Sequence, residues 1–159
     1  MILFNSFIAL LIAVFGSYIG YQQYLLNKKM VKLNSQNLKW NLFEKRYKIY
    51  HLTKEILLKI TQDNTIDPVK LRDYNFSIRE RVFLFENDIN EYIQTMTENG
   101  ISISNSTDKL KKEFKLPEAT EEYKRLIESN LNLSRWFTFE YQENVETRFM
   151  KYLNFQDLI

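Results

Sequence analysis

The sequence predicts an all-α protein: an N-terminal transmembrane helix over residues 1–26, followed by a cytosolic helical domain over residues 27–159. Three observations carry that prediction. Gly and Pro together make up only five of the 159 residues, about 3% where roughly 12% is usual. A sandwich or barrel of many short strands would lack its turn residues. The first charged side chain is Lys28, so an uncharged, largely apolar segment precedes it. Between Gly20 and Pro68 there is neither Gly nor Pro, so a helix begun in the first segment meets no breaker on its way into the second.

The segment Ile2 to Tyr21, ILFNSFIALLIAVFGSYIGY, has about the 20 residues that a helix needs to cross a hydrocarbon core. A secretory signal would carry a basic stretch before its apolar run and a small-residue cleavage site after it. Neither is evident here, so an uncleaved anchor is expected. Lys28, Lys29 and Lys32 follow the span directly. By the positive-inside bias they place the N-terminus outside and the rest in the cytoplasm, as a single-pass membrane protein. These lysines also suit anionic lipid, at about 1 kcal/mol each. One face of the span is patterned. Ser6, Ala9, Ala13, Gly16, Gly20, Gln23 and Asn27 recur at alternating spacings of three and four, and all are small or polar. Small residues let helices approach closely in lipid, so the stripe predicts self-association: a packed dimer, or a ring of more than two copies lining a pore.

Past the span, Leu38, Leu42, Ile49, Ile56 and Ile60 form one apolar stripe at helical spacing. Trp40, Phe43, Tyr47, Tyr50 and Leu58 form a second, aromatic one. Only a narrow sector with Glu44, Lys48, Glu55 and Lys59 is expected to face water. A helix apolar on two sides is expected to be covered twice, by its own bundle and by a neighbouring chain. Asp67-Pro68 is a helix start, a capping carboxylate before proline at the first helical position. The next helix is expected to end at Asn99-Gly100, with Leu71, Ile78, Val82, Phe85, Ile89, Tyr92 and Met96 as its seam. Residues 99–107, NGISISNST, read as a mobile polar loop. A short helix near Asp108 to Lys115 should precede Pro117. A last helix, Glu118 to Leu153, carries Leu126, Leu133, Phe137, Tyr141 and Phe149.

Composition narrows the chemistry. Apolar residues at 45% and charged residues at 26% exclude disorder as the main state. With no cysteine there are no disulfides, no thiol chemistry and no zinc site with sulfur ligands. The net charge of +2 is unevenly placed, with seven basic residues and one acidic between Lys28 and His51. That stretch, interleaved with Trp40, Tyr47 and Tyr50, fits lipid first and an RNA backbone second. Glu86, Asp88 and Glu91 read as a solvated face. No cofactor or metal is expected. The only histidine, His51, stands five residues after Arg46 in RYKIYH, an R-x4-H motif. Metal-free RNA cleavage needs a proton-transfer group and a cation for the phosphorane charge, and His with Arg supplies both. Five residues turn a helix by about 500° and leave the two side chains about 140° apart, so one chain would not aim both at one phosphate. Two chains would be needed.

R-x4-H in a small helical domain resembles the HEPN superfamily. With the N-terminal span, the chain resembles the Csx-type membrane accessory proteins of type VI-B CRISPR systems. That resemblance implies an antiphage function: an oligomeric membrane pore that enhances the immunity given by an RNA-guided ribonuclease effector. It carries over Arg46 and His51 as functional residues, with Tyr47 and Trp40 beside them. Tyr47 stands where active HEPN ribonucleases often have Asn, Asp or His, and the motif lies in the first cytosolic helix, where in many of them it comes late. A structural use of Arg46 and His51 is therefore expected over catalysis. A dimeric membrane-tethered ribonuclease and a non-catalytic adaptor are the alternatives.

Overall fold

The computed structural model describes residues 2–113 and 121–154, and every element in them is helical. The chain is α1 (Ile2–Asp63), α2 (Pro68–Ser77), α3 (Arg81–Leu84), α4 (Asn87–Glu113), α5 (Glu121–Phe139), a π-helical turn (Glu140–Asn144) and α6 (Val145–Leu153). As the missing breakers predict, α1 runs unbroken through the apolar segment into the domain. The described residues divide into two compact units, one over residues 2–41 and one beginning at Leu42.

Among the described residues the first unit is one helix with no buried core. Its apolar stretch is long and apolar enough to cross a membrane, and none of it is buried. Nothing lies within 4 Å of where a Cβ would stand on Gly16 or Gly20.

The second unit is built around one hydrophobic core. Ile49, Leu57 and Ile60 of α1 meet Leu71 and Tyr74 of α2, Ile89, Ile93, Met96 and Ile103 of α4, Phe137 of α5, and Val145 and Phe149 of α6. Each such side chain taken out of water contributes roughly 1.5–3 kcal/mol. Thr53 joins them as a buried polar residue. Its hydroxyl donates to the Ile49 carbonyl at 2.8 Å and pairs at 2.9 Å with the Tyr74 hydroxyl. Burial pushes the Tyr74 phenol well above its ordinary pKa. The expected solvated sector of α1, Glu44, Lys48, Glu55 and Lys59, is exposed.

Several expectations are corrected. Leu38 belongs to the coreless unit and is 70% exposed; further along the stripe Leu42 and Ile56 are half-buried, and Ile49 and Ile60 are buried. In the aromatic stripe Phe43, Tyr50 and Leu58 are half-buried, but Trp40 and Tyr47 remain exposed.

Asp67 does cap α2, accepting from the Val69 N–H at 2.8 Å. That helix ends at Ser77, however, far short of Asn99-Gly100. Turns from Phe76 O to Arg79 N and from Ile78 O to Arg81 N replace it. Of the expected seam only Val82 is exposed, because it lies in the short α3 rather than in a continuous helix.

The mobile loop at 99–107 is instead the interior of α4. Gly100 does not end the helix, because it admits Leu71: a Cβ there would stand 3.0 Å from Leu71 Cδ2. The polar run has partners, too. Asn130 of α5 donates to the Ser106 and Thr107 hydroxyls at 3.0 and 2.9 Å. The expected short helix from Asp108 is the last part of α4, and Lys115 lies outside the described residues.

The last helix runs as expected from Glu121 to Leu153, with Glu118 outside the described residues, but it contains the π turn. Phe137, Tyr141, Val145 and Phe149 are spaced by four, and each step of four advances an α-helix about 40° past a full turn. The wider π turn absorbs that drift, keeping Phe137, Val145 and Phe149 buried together. It also carries Glu140 into the interior, where Asn144 donates to its Oε1 at 3.0 Å and the exposed end of Arg148 lies 3.6 Å from Oε2.

Candidate functional site

The R-x4-H motif lies in the folded unit, in the part of α1 that meets the turn before α4 and the end of α6. Arg46 is half-buried. Its Nε donates to the Leu84 carbonyl at 2.9 Å and its Nη1 to the Tyr152 carbonyl at 3.4 Å. Leu84 is the last residue of α3, and Tyr152 lies in the last turn of α6. The final carbonyls of a helix lack intrahelical donors and carry the negative end of its dipole. One guanidinium thus caps two helix C-termini. It also packs over the rings of Phe85 and Tyr152, at 5.9 and 5.4 Å.

A second set of contacts closes the same junction. The Tyr152 hydroxyl donates to Asp88 Oδ1 at 2.6 Å and reaches Glu86 at 3.3 Å. Lys151 pairs with Asp88 at 2.9 Å and with Glu86 at 3.6 Å. Partial burial acts to raise the Asp88 carboxyl, but the hydrogen bonds from Tyr152 and Lys151 outweigh it and hold the group below its ordinary pKa. The Asp88 hydrogen bond in turn raises the Lys151 ammonium. Asp88 also sits in the first turn of α4, where a negative charge is favoured. Glu86, Asp88 and Glu91 are exposed, as expected, but the first two tie α6 down as well as facing water.

His51 takes no part in this junction. Its side chain is exposed, with Nδ1 3.5 Å from Glu55 one turn later and the Tyr47 ring 6.4 Å away. Arg46 and His51 share none of these partners, in keeping with the 140° that separates them on the helix. Tyr47 stacks on Phe43 at 6.0 Å and lies tilted against Tyr50 at 5.9 Å. Trp40 lies in the other unit.

The structure therefore brings together Arg46, Leu84, Asp88, Lys151 and Tyr152, of which the motif supplies one. Sequence spacing gives no signal for the others, since they come from three distant elements and two of the acceptors are backbone carbonyls. Within the chain the arrangement offers a cation fixed on neutral carbonyls and an exposed imidazole beside a carboxylate. Among the described residues no group of three or more His, Asp and Glu is placed to hold a metal ion.

Ser6, Gly16, Gly20, Gln23 and Asn27 of the patterned stripe, with Lys28, Lys29 and Lys32, all lie on α1 within the coreless unit and are exposed. Ala9 and Ala13 share that helix. No family model, curated protein or solved structure matches this chain.

Proposed function

We propose that the chain is a single-span protein of the bacterial cytoplasmic membrane that assembles through its N-terminal helix into a ring of more than two copies. The ring forms a pore that enhances RNA-guided CRISPR immunity by compromising the membrane. One observation carries the assembly: none of the apolar window of α1 is covered by the described residues, with open space beside Gly16 and Gly20 on its small-residue face. Lipid suits the bulky sides of such a helix, and a copy of itself suits the small side. The defence role rests on the resemblance drawn from the anchor and RYKIYH.

Arg46 serves the fold in this reading, as a double helix cap rather than as a catalyst. The ribonuclease alternative needs that guanidinium on a phosphate, yet it is spent on two carbonyls. Loss of membrane potential after the effector recognises phage RNA is the expected outcome in cells carrying both proteins. Protection against phage with the potential intact would contradict the pore. Cleavage of single-stranded RNA that disappears in His51→Ala would restore the nuclease.

A further inference from the structure

The coreless part of α1 continues for about a further 20 residues beyond the length that a bilayer accommodates, and large apolar side chains recur there among polar ones. Tyr24, Leu26, Val31, Leu33, Leu38 and Trp40 are each more than half exposed. At 100° per residue they fall into order. Asn27, Asn34, Asn37 and Asn41, with Met30, continue the alternating three-and-four spacing that starts at Ser6. Leu26, Leu33 and Trp40 form a ridge on one side of these amides. Tyr24, Val31 and Leu38 form a ridge on the other, about 160° from the first. Lys28, Lys29, Lys32 and Lys39 occupy the sector opposite the amides.

A helix with apolar ridges on nearly opposite sides needs a neighbour on each. We propose that residues 24–41 are an assembly surface for further copies of this chain: one ridge of each copy packs on the other ridge of the next, amides inward and lysines outward. The inference rests on the ring-forming function above and extends its interface past the bilayer into a parallel, amide-lined collar.

Three features select a copy of the same chain as the occupant. The amide seam keeps the register of the stripe in the span. Copies that enter the membrane in one orientation are necessarily parallel, so each Asn meets its own equivalent, and an amide both donates and accepts. Neither ridge carries a charge, so identical surfaces meet without repulsion. The angle between the ridges selects the kind of assembly. A dimer uses one contact direction and a trimer two that are roughly 60° apart, whereas ridges at about 160° suit a larger ring closed by head-to-tail contacts.

The absence of cysteine makes the test clean. Val31→Cys and Leu33→Cys chains are reconstituted into vesicles, separately, mixed, and as the double variant. They are then oxidised to form disulfides, which need Cα atoms within about 7 Å of each other; facing ridges meet that limit, whereas equivalent positions of adjacent copies stand one helix spacing apart, about 8–10 Å. Each single variant by itself should give no covalent dimer, the mixture should give one, and the double variant should give a ladder up to the size of the ring. Dimers from a single variant would mean face-to-face pairing and overturn the proposal. A ring-sized particle by light scattering whose double variant gives no ladder would remove the collar and leave the pore. A monomeric particle would remove both. Both positions are exposed, so the melting transition of the folded domain should match that of the unmodified chain and serves as the control.

Discussion

Along α1, hydrophobic side chains of similar size meet two environments. From Phe7 to Trp40 the large ones are mostly exposed, while Ile49, Leu57 and Ile60 further along the same helix are sealed at 4% exposure or less. Periodicity is regular in both stretches. It shows that a face of the helix is covered, and what covers it depends on what else the chain supplies. For the second stretch the chain supplies α2, α4, α5 and α6. For the first the described residues supply nothing, and in the proposed function lipid and further copies are the cover.

That contrast breaks most visibly at the glycines. Gly20→Leu places a bulky side chain on the small-residue face, and the ring we propose should fall to monomer while the melting transition of the domain stays put. Size-exclusion chromatography with light scattering, beside circular dichroism, reads both. Phe149→Ala should do the reverse. A cavity at a fully buried position costs about 3–5 kcal/mol in urea unfolding, with the anchor's assembly retained. Arg46→Ala leaves two helix ends without their cap and should cost about 1.5–3 kcal/mol, the range for hydrogen bonds to charged groups. His51→Ala, at an exposed site, should stay within about 0.5 kcal/mol. Equal losses in the two variants would mean that they act as one unit.

A small effect of another kind, on the pH profile, sharpens the picture at Asp88. Its folded pKa lies below the ordinary carboxylate range, so the stability it contributes is present above the unfolded pKa, about 3.9. That contribution fades as pH falls through the lower folded value. Because the group is partly exposed, it amounts to under about 1 kcal/mol. Asp88→Asn should lower the neutral plateau by about that amount, leave the acid end unchanged and so flatten the acid limb of the stability profile.

Much of the fold was legible in the sequence, and the misses share a cause. The breaker-free run gave α1, the Asp67-Pro68 pair gave the start of α2, and apolar spacing gave most of the core. Asn99-Gly100 misled because a glycine that ends helices elsewhere serves here as the contact point for Leu71, a tertiary fact. The polar run 99–107 misled likewise: its hydroxyls have a partner in Asn130, which lies far off in the sequence. The four-residue spacing after Phe137 did encode the π turn, through a drift that a uniform helical wheel averages away. At the candidate site only Arg46 and His51 were legible, and the motif's spacing correctly kept them apart. The carbonyls that Arg46 caps carry no mark in the sequence, because any residue can supply one.

The mass of the intact particle in detergent tests the central claim most directly, by native mass spectrometry or by light scattering with the detergent subtracted. A closed ring around an aqueous path needs roughly five or more helices of about 10 Å diameter, so a particle of at least that many chains is predicted. A monomer or dimer leaves no lumen and would contradict the account.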